Sequence, residues 1–195
     1  MTKLVKALNS NKLIRVIGID DAPFSQERNS EVNIVGTICS GTRIEGLLWG
    51  SATKDGNDAT DNIISMIKNS KFISQLHIVI LDGIAIGGFN IIDLKLLSET
   101  LNLPCVAVMR KYPDLDKIDK ALHYFEDYQK RKEMINNAGK IFNQQGFIFQ
   151  VVGESSENIA LALNKITDNG KVPEALRMSH LIGSAIKTGQ SSKRA

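Results

Sequence analysis

The sequence predicts an α/β fold. Its mixed five-stranded sheet has three antiparallel strands followed by two parallel ones, is flanked by helices, and is extended by a further C-terminal strand with helices. Three observations predict it. Between residues 13 and 51 three apolar runs follow one another with no helix-length apolar pattern between them, so each must run antiparallel to its sequence neighbour. Beyond residue 51 strand and helix patterns alternate, which calls for right-handed crossovers and parallel pairing. A chain of 195 residues with 43% hydrophobic content buries one substantial core, so residues 1–195 read as a single domain with 1–12 and 188–195 as loosely ordered tails.

Each element has its own signal. The lead-in is polar, with room for a short helix. Leu13 to Asp20 is the first strand, and the polar "APFSQERNSE" follows it. Val32 to Cys39 and Thr42 to Ser51 are separated by Ser40 and Gly41, which is hairpin spacing. In "NDATDNIISMIKNSKF" the residues Ile63, Ile64, Ile67 and Phe72 recur near helical spacing, with Asp58 as N-cap and Asp61 in the first turn. Strand Leu76 to Leu81, a helix through Ile91 to Leu101, and strand Cys105 to Met109 come next. Leu115, Ile118, Leu122 and Phe125 form one stripe of a long helix over about 114–138. Strand Phe147 to Val152 and helices at about 155–168 and 173–187 complete the order. That order matches the ribonuclease H-like core, in which the first and fourth strands are central neighbours.

Composition narrows the function classes. No apolar run reaches the roughly 18 residues of a membrane helix, and no apolar signal core opens the chain. A soluble, unprocessed, cytoplasmic protein is expected. Cys39 and Cys105 sit in apolar runs without zinc spacing and read as buried hydrophobes in a reducing compartment. A net charge of +3 and a pI near 8.8 lean basic but stay below the mark of a strongly nucleic-acid-binding domain.

The chemistry lies in the acids. "VIGIDD" ends on Asp20 and Asp21, and "IVILDG" ends on Asp82. Singly, Asp20 reads as a strand-end cap and Asp82 as an Asp-Gly turn; together at adjacent strand tips they read as a site. Asp21 points to the opposite face and reads as a loop support. Converging carboxylates repel, and Mg2+ or Mn2+ is the simplest way to offset that. An acid on the helix before the fourth strand would complete the set, either Asp58 or Asp61, with Asp55 behind them. Asp58 reads equally as an N-cap and Asp61 as a complement to the helix dipole. A phosphate-accepting receiver or an Asp-nucleophile phosphatase would need a helix after the first strand, and "APFSQERNSE" supplies none. Gly87 and Gly88 in "GIAIGGFN" would let a nucleic-acid backbone approach closely, or would simply form the loop into the next helix. His180 reads as a packed helical residue ahead of a catalytic one, His77 and His123 carry no role, and the basic "KRKE" and terminal "KRA" read as solvated faces with scope for phosphate contacts.

Taken together, "RVIGIDDAPF", "DGNDATDNI", "LDGIAIGGFN", "RKYPDL" and "PEALRMSHLIGSAIKTG" resemble the endonuclease dU family, a distant relative of endonuclease V, over nearly the whole chain from about Leu13. The resemblance implies that Asp20 and Asp82 bind metal and that the helix acid falls on Asp61, 21 residues before Asp82. The lysine that endonuclease V carries after its fifth strand falls on Arg110, followed by Lys111, as phosphate-holding cations. The histidine of its "G-H" falls on Glu154, as a fourth acid for metal or water or as a plain helix N-terminal charge. The aromatic wedge segment has no counterpart in "EGLLWGSATKDGND". The implied function is a magnesium- or manganese-dependent endonuclease acting on DNA with deaminated bases, deoxyuridine or deoxyinosine. The alternative is a non-catalytic nucleic-acid- or metal-binding module that keeps the fold.

Overall fold

The computed structural model describes residues 1–192. The chain opens with helix α1 (Lys3–Asn9), whose first turn is capped by the Thr2 hydroxyl accepting from the Val5 N–H. Strands β1 (Arg15–Asp21), β2 (Glu31–Ser40) and β3 (Arg43–Thr53) form an antiparallel meander. Helix α2 (Ala59–Lys68) and a short 3-10 turn lead into β4 (Ile78–Asp82). A small hairpin, β5 (Ala85–Ile86) and β6 (Asn90–Ile91), precedes α3 (Leu94–Leu101) and β7 (Cys105–Met109). The remainder is α4 (Leu115–Leu122), α5 (Tyr128–Asn137), β8 (Phe142–Gln144), β9 (Phe147–Val152), α6 (Ser156–Lys165) and α7 (Glu174–Thr188).

The main sheet has seven strands in the order β3-β2-β1-β4-β7-β9-β8. The expected centre is present: β1 runs parallel to β4, with Val16 opposite Ile78 and Ile19 opposite Leu81, and β4 runs parallel to β7. The expected five strands become seven because β9 joins antiparallel to β7 and brings β8 with it as a hairpin. Three residues, "FNQ", carry too little alternation to announce β8.

Three other expectations are corrected. The N-terminal lead-in is an ordered helix: Leu4 is fully buried and Ala7 nearly so. The long helix after β7 is two helices, because the chain turns at Tyr124 and Phe125, whose N–H groups bond three residues back to Ala121 and Leu122. Phe125 then packs on Phe89 at 5.6 Å beneath the Arg131 guanidinium at 4.3 Å, a tertiary anchor that outweighs helical propensity. Phe72 lies beyond α2, with its ring in the space that Gly46 leaves open. Helix α7 ends at Gly189 in the left-handed region. The basic end of the tail, Lys193 and Arg194, lies outside the described residues.

Alternation along the central strands makes two apolar layers. Ile17, Ile19, Val79 and Leu81 belong to the layer under α2 and α3, whereas Val16, Ile78, Ile80, Val106 and Val108 belong to the layer with Leu163 of α6 and Leu176 of α7. The same alternation carries Gly18, Asp20 and Asp82 to the α7 side and Asp21 to the other. Each fully buried aliphatic side chain contributes about 1.5–3 kcal/mol, so the charged strand tips stand on a stiff base. No helix among the described residues is long and apolar enough to cross a membrane.

Gly18 sets how close α7 comes. A Cβ there would lie 2.5 Å from the Ala175 carbonyl carbon and 2.6 Å from the Leu176 nitrogen. Neither can yield without moving the helix backbone. Gly18→Ala is therefore expected to cost about 1–3 kcal/mol of stability, read as a lower urea midpoint at unchanged slope; an unaltered midpoint would refute the close-packing account.

Candidate active site

The register that pairs Ile19 with Leu81 sets Asp20 and Asp82 level at the C-terminal tips of two parallel strands. Asp20 is 6% exposed. Its Oδ1 accepts from the Asp21 N–H at 2.9 Å and its Oδ2 lies 3.0 Å from His180 Nδ1. Asp82 Oδ2 accepts from the Arg110 guanidinium at 3.2 Å. Burial pushes the Asp20 carboxyl from its ordinary 3.8 up to about 8, the charges of Asp82 and Asp21 add to this, and the Asp21 N–H and Arg110 act against it. Asp21, on the opposite face, is also raised by burial, partly offset by the Gly87 N–H that it accepts at 2.6 Å. The edge thus crowds three carboxyls around one guanidinium, and Asp20 relieves the crowding by holding its proton.

Helix α7 delivers His180. Its small residues Ala175, Ser179 and Gly183 recur every four positions. Ala175 lies against Gly18, Ser179 donates to the Gly18 carbonyl at 2.8 Å, and Gly183 sits against Ala22. His180, next to Ser179, then meets Asp20 with Nδ1, while Nε2 lies 2.9 Å from the Ser192 hydroxyl. Sequence reasoning made His180 a packing residue. The signal for its placement is this small-residue spacing, which marks a helix backbone pressed onto a strand.

The remaining predicted residues go elsewhere. Asp58 occupies the N-cap position of α2, but its carboxylate accepts from the Thr53 N–H and hydroxyl and from the Asn90 and Asn62 amides. Burial disfavours its charge, yet these bonds prevail and hold its pKa below the ordinary value. Asp58 is thus the knot that ties the β3–α2 loop to β6. Asp61 is exposed in the first turn of α2, without a hydrogen bond or ion pair to the strand tips. Glu154 stands at the other edge of the sheet: β9 is antiparallel to β7, so Val152 lies opposite Cys105, whereas Asp82 is level with Val108. There Glu154 accepts from Thr2, the Ser155 N–H and Asn158 and joins α1 to α6. Gly87 and Gly88, both at positive φ, are filled from within. A Cβ on Gly87 would meet Val32 at 2.7 Å, and one on Gly88 would collide with Asp55. They shape the hairpin, and the space beside each is taken by the protein itself. Lys111 is exposed beside Arg110.

Among the described residues no three His, Cys, Asp or Glu side chains form a metal-holding group. The site is a pair, Asp20 and Asp82, with His180 behind one and Arg110 before the other. A pair suits a hard ion that takes one or two carboxylates and fills its other positions with water and phosphate oxygens, as Mg2+ does. The raised Asp20 carboxyl is the mark of a position short of positive charge.

Comparison with known proteins places the chain in a family and a fold. The profile of the family described as endonuclease dU matches residues 12–187. A UPF0215 protein of Methanosarcina acetivorans is 43% identical over 192 residues, covering 93% of this chain and 95% of the relative. The crystal structure of an Archaeoglobus fulgidus protein of unknown function superposes with a TM-score of 0.84 at 35% identity, covering 89% of this chain and 98% of that one. Endonuclease V of Bacillus subtilis shares the fold at a TM-score of 0.59 and 9% identity, with 95% and 90% covered. Endonuclease V of Ciona intestinalis, solved with a DNA containing inosine followed by a ribo-adenosine, does so at 0.55 and 11%, with 87% and 83% covered.

A carboxyl with a folded-state pKa of about 8 and an ordinary value of 3.8 keeps a proton in the folded protein that the unfolded chain has released. Between these limits the folded state binds more protons, so stability falls as pH rises from about 4 to about 8. Asp20→Asn removes that dependence. In chelator its melting temperature should gain on the parent's as pH rises through this window, and a constant difference would refute the burial account.

Proposed function

The chain belongs to the endonuclease dU family, and on that premise we propose that it is a divalent-metal-dependent endonuclease acting on DNA at deaminated bases, deoxyuridine or deoxyinosine. The observation that carries this reading is the level pairing of Asp20 and Asp82, with the first buried and short of positive charge and the second beside Arg110. Asp20 and Asp82 would hold Mg2+ or Mn2+, which when bound supplies Lewis-acid activation of water and of the scissile phosphate.

The protein's own groups have separate tasks. Arg110, half-exposed and held to Asp82 by one bond, is placed to exchange that carboxylate for a phosphate oxygen. His180 fixes the orientation of Asp20 through Nδ1 and is the group within reach to take or return a proton at Oδ2. A cavity of about 680 Å³ lined by Arg28, Asp55, Asn57, Tyr124, Phe125 and Arg131 adjoins this edge. The link is the β5–β6 hairpin, which bonds to Asp21 through Gly87 and to Asp55 through Phe89. Tyr124 is 91% exposed at its rim. An extruded base would find a stacking surface there, in place of the wedge segment that the sequence lacks.

One observation favours the alternative of a non-catalytic nucleic-acid- or metal-binding module: only two carboxylates converge, and one of them is already ion-paired. Cleavage of labelled oligonucleotides containing uracil, inosine or no lesion, with Mg2+ or with chelator, separates the two. Lesion-dependent cutting is expected to fall about 100-fold or more in Asp82→Asn and to persist in Glu154→Gln and Asp61→Asn. Tyr124→Ala should raise KM for lesion-bearing DNA. Calorimetric metal binding at unit stoichiometry without any cutting would instead establish the binding module.

A further inference from the structure

At the end of the sheet opposite the paired aspartates lies a second charged region of the other sign. Lys3 and Lys6 of α1, Lys12, and Arg15 at the start of β1 line a cleft of about 530 Å³ with Leu13 and His77. Among the described residues none of the three lysines is in an ion pair. Lys3 Nζ donates to the Ser74 carbonyl at 2.9 Å, and Lys6 and Lys12 are exposed. The acid alongside is Glu45, held by Arg15 at 2.8 Å and Arg43 at 3.1 Å. His77 accepts the Arg15 N–H at Nδ1, which leaves its proton on Nε2. Burial and then the charges of Arg15 and Lys3 hold its pKa below the ordinary value, so it adds a neutral donor. Leu13, 68% exposed, supplies an apolar surface among the cations.

We propose that this cleft binds the phosphate backbone of a DNA duplex away from the cleavage edge. The inference rests on the nucleic-acid reading above and adds a second point of contact to it. The chemistry is that of phosphate: unpaired ammonium groups, a guanidinium and a ring N–H, with no unpaired carboxylate lining the cleft. Four cations, Lys3, Lys6, Lys12 and Arg15, line one cleft of this size, and Arg43 joins them through the shared Glu45, more positive charge than one small anion requires. The distance fits as well. Arg15 and Asp20 are five residues apart on one strand, about 17 Å, and a duplex laid along the strand direction covers that interval with about five base pairs.

Binding of a fluorescent, unmodified duplex of about 20 base pairs in chelator, titrated against salt, tests this without cleavage. The double variant Lys6→Gln/Lys12→Gln should bind more weakly and show a slope of log affinity against log salt shallower by about 2, near 0.9 per lost phosphate contact. Lys6→Arg/Lys12→Arg should keep the parent slope, which separates charge from folding. Parallel slopes for parent and Gln variant, with tight salt-dependent binding by both, would overturn this inference and leave the nuclease reading standing. Displacement of the duplex by a stoichiometric amount of inorganic pyrophosphate would also overturn it, assigning the cleft to a small phosphate ligand. Absence of salt-dependent binding by the parent would remove the nucleic-acid reading and this inference with it.

Discussion

Helix α7 crosses β1 where Gly18 has no side chain, and its backbone at Ala175 and Leu176 occupies the space a Cβ would need. The rest of the acidic edge depends on that contact. Because the helix lies so close, the Ser179 hydroxyl reaches the Gly18 carbonyl and His180 reaches Asp20. Helix and strand hold each other by backbone approach and by these two hydrogen bonds, interactions that tolerate little displacement. A larger residue at position 18 would lift α7, lengthen the Asp20–His180 contact and admit water over a carboxyl that is now 6% exposed.

Burial of Asp20 is also what makes the edge chemically unusual. A carboxylate on an exposed loop would be ionised and well hydrated, with little to gain from a bound cation. At Asp20 hydration has been removed, Asp82 and Asp21 add like charge, and the supports are a single N–H and one imidazole. Two ways remain to relieve that state: retention of a proton, or arrival of positive charge from outside. Arg110 supplies part of the second from Asp82's side. On the proposed reading the same guanidinium would receive the phosphate, and binding of the anion and release of Asp82 would be coupled through one side chain.

Much of this was legible in the sequence, and the parts that were not share a cause. Periodicity and loop length gave β1 to β4 and β7 in the right order, and the match of that order to the ribonuclease H-like core gave the adjacency of Asp20 and Asp82. Glu154 falls away from the paired aspartates because proximity along a motif does not fix which end of a sheet a residue occupies, whereas Asp61, in the first turn of the helix that follows β3, stays at their end of the sheet with its side chain exposed. Glu154 follows β9, whose antiparallel direction carries it to the far edge. Asp58 was correctly read as an N-cap position, yet its partners, Thr53 and Asn90, are set by a tertiary contact between loop and hairpin. His180 was missed because a single histidine on an amphipathic helix carries no sign of what it faces; the small residues around it did carry that sign.

The sheet's own polarity completes the argument. Parallel strands β1, β4 and β7 all point their C-terminal tips the same way, and the chain has placed acids on two of those tips and a basic cleft where β1 begins. Neither end is of one sign: Arg110 and Lys111 stand at the acid edge, and Glu45 lies beside the basic cleft. A polyanion would meet three lysines outside any ion pair at the cleft, and at the acid edge a guanidinium already held by Asp82. Such an arrangement can hold a duplex by its backbone first, at the basic end, and engage the acidic edge only where a cation and a phosphate arrive together. On the proposed reading, affinity and chemistry would reside at opposite ends of the same strands.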